Sequence, residues 1–504
     1  MSCQKKIWQL SEYEQRMINK FQDTIIDGKL VIKNDQELTD FSFIQNLNVS
    51  KVKLDNCQNI KQNVVSDNIK ELCINSCNFV NVDGLKLNNL EVLSLRESRM
   101  ESAQKILVQM QNNPLFSQLK ELNLSKSLHE QQEIQNHFDD QNYEEELQLN
   151  DQKSMVNLVK LTLNWNMITN ISVLSTFVNL DELDLSNNIN ININPIQYLT
   201  KLTKLSLENC GLTNIQDLSS LTNLVELNLA ENEGIDISPI NKLKQLVNLN
   251  LYWCKLQNIT PLQNLNQLEN LNVTANEIAD WTLLGSLNNL KDLSMSFIEN
   301  VVVDITPLQY LRNLKALNIS STKIAEMSVL RKLTNLEELY ISAVTNFDIS
   351  LLQYLVKLKQ LDISCNDVYD ISALRPLVNL QYLVLEDNYI SDISPLFELK
   401  KLNRLFFEII YSTNVIQIEQ DSHLFDILTI QEYIKPTIEQ QHIFDQIKRI
   451  NTTVSYLKNI AQWQKHFKAR LTPLRQFASQ RLQTITLNQL QYTNIIVSLF
   501  NKLD

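Results

Sequence analysis

Metal or nucleophile chemistry in this sequence would have to begin at a small set of side chains. His129, His137, Asp139 and Asp140 lie close together, but their spacing matches no metal site. The cysteines are Cys3, Cys57, Cys73, Cys77, Cys210, Cys254 and Cys365. Their odd number and lack of zinc-type spacing point to free thiols in a reducing compartment. Glycine occurs only at Gly28, Gly84, Gly211, Gly234 and Gly285, so no phosphate-cradling Gly-rich loop can be written. The remaining histidines are His423, His442 and His466, and all five lie outside the regular array described below. That array therefore has no imidazole base, and Cys365, next but one to Asp367, has none either. The chain reads as a non-enzyme with no cofactor, no metal and no small-molecule substrate.

What remains is recognition. Aromatic side chains recur at Trp165, Tyr252, Trp253, Phe297, Tyr340, Tyr382 and Phe406. Carboxylates recur at Glu182, Asp184, Glu208, Glu226, Glu231, Asp292, Glu338, Asp362, Glu386, Asp387 and Glu408, against Lys160, Lys204 and Arg404 as the only cations of the same set. Exposed Trp and Tyr dominate the energetics of protein interfaces. An excess of carboxylates steers a partner with a basic or mixed surface, and it equally keeps an exposed sheet soluble. The expected protein-binding residues are Trp165, Glu208, Tyr252, Trp253, Asp292, Phe297, Tyr340, Tyr382 and Phe406.

These residues are placed by a repeat. Leu158, Leu180, Leu202, Leu224, Leu246, Leu268 and Leu290 are 22 residues apart, as are Leu314, Leu336, Leu358, Leu380 and Leu402, with one step of 24 between the two runs. Each unit reads L-x-x-L-x-L, followed by a slot holding Asn166, Asn188, Asn232, Asn276, Asn366 or Asn388, which is the leucine-rich-repeat signature. The L-x-L alternation is a short strand with its leucines facing inward, so the residues between them face out. Stacked turns would align the slot amides into a ladder that satisfies backbone groups, and Cys57, Cys77, Cys210 and Cys254 fill the same slot. Weaker copies at Leu30/Ile32, Val52/Leu54, Leu72/Ile74, Leu93/Leu95 and Leu122/Leu124 bring the total to about seventeen turns. At roughly 4.8 Å per strand the sheet would run for about 80 Å.

The second half of each unit, as in DISPINKL at 236–243, predicts a short convex helix. Asn194, Ser238, Thr260, Thr306 and Ser394 are expected at the N-cap, and Pro195, Pro239, Pro261, Pro307 and Pro395 at the first helical position. Ile237, Ile240 and Leu243 then point inward. The fold class expected is α/β, a leucine-rich-repeat solenoid with a parallel concave sheet, short convex helices and a C-terminal helical segment. Its expected divisions are an N-terminal helical cap (1–26), a solenoid (27–412) with an acidic loop insertion (128–157), and a C-terminal helical hairpin (413–504). Two readings of the hairpin stand: a cap on the last repeat, or an arm for self-association or docking.

Charge is unevenly placed. The chain carries −12; from Thr437 onward the balance is +6, which leaves −18 on residues 1–436. Such an acidic body repels phosphate backbones, so no nucleic acid is expected as a partner. The first residues, MSCQKKIWQLSEYEQ, hold no apolar run of signal-peptide length, and nowhere do eighteen apolar residues follow one another. Sequons at Asn123, Asn272 and Asn318 fall on expected strands, where a glycan would crowd the inner surface. A soluble protein of the cytoplasm or nucleus is expected, with membrane contact disfavoured.

The unit at 380–399, LQYLVLEDNYISDISPLFEL, resembles the repeats of the leucine-rich regulatory subunit of type-1 protein phosphatase, and internalin repeats are similar. The resemblance covers roughly residues 27–412. It implies a solenoid that grips a protein through concave acidic and aromatic residues, a character similar to Glu208, Trp253, Asp292 and Tyr340. It also implies, as an alternative, a role as a regulatory subunit. An assembly or membrane-proximal scaffold working through the basic tail is the other alternative.

Overall fold

Each L-x-L becomes a strand of three to five residues, and the strands stack side by side in one parallel 17-stranded sheet. The structure, a computed structural model, describes residues 10–39, 42–57, 64–77, 85–98, 103–126, 155–390 and 392–407. The chain divides into two compact units, Met1–Ile430 and Gln431–Asp504, and all described residues belong to the first. The expected hairpin lies outside the described residues, as does the acidic insertion apart from residues 155–157.

Register follows the leucines. Leu30 faces Val52, Val52 faces Leu72, Leu72 faces Leu93 and Leu93 faces Leu122. Across the longer run, Leu161 faces Leu183 and Leu183 faces Leu205. The 24-residue step falls between Leu293 and Leu317, and its two extra residues are taken up in a side pairing of Ile298–Val303 with Thr322–Ile324. Behind the sheet the leucines form one continuous core: Leu180, Leu185, Leu202, Leu207, Leu224 and Leu229 are fully buried. Burying such a side chain is worth about 1.5–3 kcal/mol, but a single turn has no second layer to bury it against, so stability comes from stacking.

The slot asparagines do what their repetition implies. Asn232, with no exposed surface, donates through Nδ2 to the carbonyls of Leu207, Leu229 and Ala230 at 2.8, 2.9 and 3.1 Å. Its Oδ1 accepts from the N–H groups of Cys210 and Leu212 in the preceding turn. Asn188, Asn276 and Asn388 repeat the pattern. Cys210 and Cys254 substitute by donating their thiols to Leu185 and Leu229 carbonyls at 3.4 and 3.2 Å. Burial pushes both thiols up to about 11.

The convex segments differ from the expectation in one respect. They are 3-10 turns, such as Ser238–Lys242 and Ser394–Glu398, and the capping position is held by the preceding isoleucine, Ile237 or Ile393. Asn194, Ser238, Thr260, Thr306 and Ser394 are the first residues of these turns, and each proline is the second. The cap comes from two residues upstream of the turn's first residue: Asp236 Oδ1 accepts from Ser238 N–H at 2.9 Å, and Asp392 Oδ1 from Ser394 N–H at 2.8 Å. Asn170, Asn192, Asn214, Asn258, Asp280, Asp304 and Asp370 act in the same way, whereas Asp348 caps from the position directly before its turn, Ile349–Tyr354. An isoleucine that must face the core leaves too little chain for a full α-turn, and the tighter 3-10 turn fits the width of the coil. Ile237, Ile240 and Leu243 are buried as expected.

These carboxylates give a pH dependence. Hydrogen bonds from the Ser238 and Thr282 groups hold Asp236 and Asp280 below their ordinary range, and those from Ser394 do the same for Asp392. A depressed folded pKa contributes stability above the unfolded value, about 3.9, that is lost as pH falls through the folded value. The midpoint of urea unfolding should therefore hold steady above about pH 5 and fall below about pH 4. Replacing Asp236, Asp280 and Asp392 by Asn, which keeps the acceptor, should flatten that fall.

A second asparagine row was not expected. Asn179, Asn223, Asn289, Asn335 and Asn379, each just before the first leucine of a unit, donate Nδ2 to a carbonyl of the preceding turn at 2.7–2.9 Å. At the amino-terminal end the helix Glu12–Phe21 opens with a Ser11/Glu14 capping box and buries Met17 and Phe21. One buried polar atom stands out: the Trp281 Nε1 has no hydrogen-bond partner among the described residues, and the side chain is 2% exposed. Trp281 takes the place that Ile237 and Ile259 hold in other turns. Trp281→Phe deletes the orphaned donor, so its loss in unfolding free energy should stay within about 1 kcal/mol, against about 3–5 kcal/mol for truncation to Ala.

Candidate binding face

Two residues of each three-residue strand in the long run flank the inward leucine on the opposite side, and two more follow as the chain leaves the strand. In the turn around Asn250 these are Asn248, Asn250, Tyr252 and Trp253. Asn248 pairs in register with Asn270 and Asn250 with Asn272, so outward side chains form rows running across the strands. The face is hollowed where these rows are short and polar. A cavity of about 770 Å³ is lined by outward residues from Lys160 to Ser294, among them Glu182, Lys204, Glu226, Asn228, Asn250, Asn272 and Asp292.

Charge on this face separates into a paired part and an uncompensated part. Lys160, Glu182, Lys204 and Glu226 form a ladder, with N–O distances of 2.6, 3.7 and 3.2 Å along it. Lys160 chiefly holds the Glu182 carboxyl below its ordinary range, and Glu226 chiefly raises Lys204. Exposed pairs of this kind add little stability, but they neutralise one another. Among the described residues, Asp184, Glu208, Glu231 and Asp292 have no cation at ion-pair distance. Asp292 still reaches solvent, yet desolvation in the hollow, and then Glu338 two strands away, push its carboxyl above the usual range.

The expected aromatic residues divide by position. Trp165, Trp253 and Phe297 occupy the last outward place, where the backbone turns left-handed with φ of 62°, 50° and 55°. Every turn of the long run bends there; Asn187, Asn209, Glu231, Ala275, Ser321 and Asp387 do the same. The conformation belongs to the coil, whereas bulky side chains at it are costly. Trp253 is 48% and Phe297 56% exposed. Tyr252 meets Trp253 edge-on at 6.1 Å between centroids, and Tyr382 meets Phe406 at 5.5 Å. Tyr340 is half-buried, its hydroxyl within 3.1 Å of Gln360 Oε1 and 3.3 Å of Glu338 Oε2. Burial, and then Glu338, push that hydroxyl up to about 12. Glu208 accepts from Asn228 Nδ2 at 2.8 Å.

The nine expected residues therefore share one face without forming one cluster. Tyr252 and Trp253 touch, as do Tyr382 and Phe406. Trp165 stands four turns from Trp253, about 19 Å at the strand spacing. Cys365 faces the same side and donates its thiol to Asp387 Oδ2 at 3.4 Å; burial and that carboxylate push it up to about 11, which makes it a poor nucleophile. No group of three potential metal ligands occurs among the described residues. No described helix is long and apolar enough to cross a membrane.

The asparagines on the floor of the hollow are not among the residues that charge or bulk singles out. Asn228, Asn250 and Asn272 each fix their Oδ1 on the N–H two residues on, at 3.0–3.1 Å. Asn270 Nδ2 donates to Asn248 Oδ1. Their signal is the tripeptide N-L-N at 248–250 and again at 270–272, in which the alternation leaves only carboxamides facing out.

No protein-family model matches the chain, and no curated protein matches it. Among solved structures it is similar to an internalin, InlF, of Listeria monocytogenes at 29% identity over 52% of this chain and 84% of that one, with a TM-score of 0.44. Internalin C2 of the same species matches at 31% identity over 42% of this chain and 82% of that one, with a TM-score of 0.32. A leucine-rich-repeat protein of Leptospira interrogans matches at 21% identity over 73% of this chain and 93% of that one, with a TM-score of 0.49.

Proposed function

We propose that this chain is a non-catalytic protein-protein interaction scaffold that seats a partner on its hollowed strand face. One observation carries the reading: Trp253 and Phe297 stand half-exposed at left-handed positions where most other turns place a small or polar residue, beside carboxylates that no cation of the described residues compensates. Folding gains little from either choice, because the left-handed backbone penalises a bulky side chain, whereas an interface gains from both. The partner presents a basic or mixed surface, and Trp165, Glu208, Tyr252, Trp253, Asp292, Phe297, Tyr340, Tyr382 and Phe406 are its contact candidates.

The proposed location is the cytoplasm or nucleus. It is supported by Cys77, Cys210 and Cys254, whose thiols serve as donors to backbone carbonyls, a role that needs the reduced form. Within this reading a phosphatase-type regulatory subunit is the narrower candidate, supported by the repeat unit at 380–399. The +6 segment beyond Thr437 supports self-association or surface docking as an additional role. Affinity capture with the parent protein and with Tyr252→Ala plus Trp253→Ala tests the main proposal. The parent should recover partners that the folded double variant loses, and equal recovery by both would remove these two residues from the site.

A further inference from the structure

We infer that the hollow around Asn250 and Asn272 takes an extended polypeptide segment carrying an arginine side chain, a proposal that rests on the protein-binding reading above. The floor of the hollow has its hydrogen-bonding groups fixed in orientation. Because Oδ1 of Asn250 and of Asn272 already accepts a backbone N–H, the orientation of each carboxamide is settled, and Nδ2 is left as a donor with no partner among the described residues. The Asn270 to Asn248 bond leaves Asn248 Nδ2 as a further donor and Asn270 Oδ1 as an acceptor. Donors and acceptors thus stand side by side on a rigid floor, and a polypeptide backbone presents the complementary alternation of C=O and N–H.

A gap lies beside this floor. Trp253, Ala275 and Phe297 occupy equivalent places in successive turns, all with left-handed φ. The two exposed aromatics are therefore separated by an alanine and by about 9.6 Å of sheet, which leaves room between them for one flat cation. A guanidinium fits the π-faces of such rings. Charge favours the same occupant. Asp292 and Glu231 flank this strip with no cation at ion-pair distance among the described residues, and partial desolvation in the hollow raises the Asp292 carboxyl although its side chain remains exposed. A neutral glycan would use the carboxamides and rings but leave those carboxylates uncompensated, so the observations favour a basic peptide.

The test uses the full-length protein and three fluorescein-labelled pools of degenerate decapeptides, with Arg, Glu or Ala fixed at one central position, read by anisotropy at two salt concentrations. The Arg pool should bind at least about 10-fold more tightly than the Glu pool and weaken with salt. Asn250→Asp plus Asn272→Asp decides the mechanism. Aspartate keeps the acceptor that caps the N–H two residues on, so the fold is retained, but it replaces the donor with negative charge. Loss of two hydrogen bonds to carbonyls predicts about 10-fold weaker binding of the Arg pool. Unchanged or tighter binding would mean attraction by charge alone and would overturn the inference, as would equal binding of the three pools or preferential binding of chitohexaose. If the inference fails while captured partners still depend on Tyr252 and Trp253, the broader protein-binding reading stands without it.

Discussion

Asn232→Ala is expected to lower the unfolding free energy by on the order of 4 kcal/mol. The asparagine has no exposed surface, and its loss takes a partner from the carbonyls of Leu207, Leu229 and Ala230 and from the N–H groups of Cys210 and Leu212. Each such buried group left unsatisfied costs about 1–3 kcal/mol, and the costs are less than additive because the backbone relaxes. Asn232→Cys is the control, because Cys210 and Cys254 already fill this slot by thiol donation. It restores one weak donor to the carbonyls and one weak acceptor to the N–H groups of the preceding turn, as Cys77 Sγ accepts from Cys57 N–H at 3.2 Å, so its loss should be clearly smaller than that of Ala. Urea unfolding measures both. Cooperativity should fall as well, since a solenoid that loses one interface separates into two weakly coupled arrays.

Trp253→Asn is expected to reduce capture of the partner at least about 30-fold, the cost of a hot-spot residue worth about 2 kcal/mol, while unfolding free energy stays within about 1 kcal/mol of the parent. The two measurements are opposed because of the backbone. At φ 50° tryptophan carries a penalty of about 1–2 kcal/mol that asparagine largely escapes. Asn187 and Asn209 hold the equivalent place in other turns. Against that relief stand the edge contact with Tyr252, worth about 0.5–1.5 kcal/mol, and the half of the ring that is buried. A variant that loses capture without losing stability locates Trp253 in recognition. One that loses both in step would make it a packing residue.

The two halves of the repeat are unequally legible in the residues. Leucine spacing decides the sheet because a one-residue slip would turn Leu161, Leu183 and Leu205 outward together, so the spacing alone dictates the register. The slot asparagines are legible for the same reason, since a buried amide must recur wherever the same carbonyls recur. The convex turns are displaced by one residue from expectation because Ser-Pro and Thr-Pro look like the start of an α-helix. The coil allows only a 3-10 turn, and the cap moves back to Asp236 or Asn258. The row formed by Asn179, Asn223 and Asn379 is easily missed although an N-L pair marks each copy.

On the binding face, aromatic and acidic positions follow from the alternation, but their conformation does not. Nothing in the residue types at Trp253, Ala275 and Phe297 announces a left-handed backbone, because all three disfavour it. The asparagines of the hollow are inconspicuous for a related reason: a carboxamide carries neither charge nor bulk, and its free donor at Asn250 or Asn272 exists only because the local N–H has claimed the oxygen.

Hydroxyl-radical footprinting of the free and partner-bound protein can locate the partner on the strand face, since exposed aromatic side chains stand both on that face and away from it. Trp253, Phe297 and Tyr252 should be protected on binding, with no change at Tyr198, Tyr310 and Tyr369, which are 58%, 60% and 66% exposed and do not belong to the outward strand rows. Protection of Tyr198, Tyr310 and Tyr369 with Trp253 and Phe297 unchanged would place the partner elsewhere and remove the strand face as its seat.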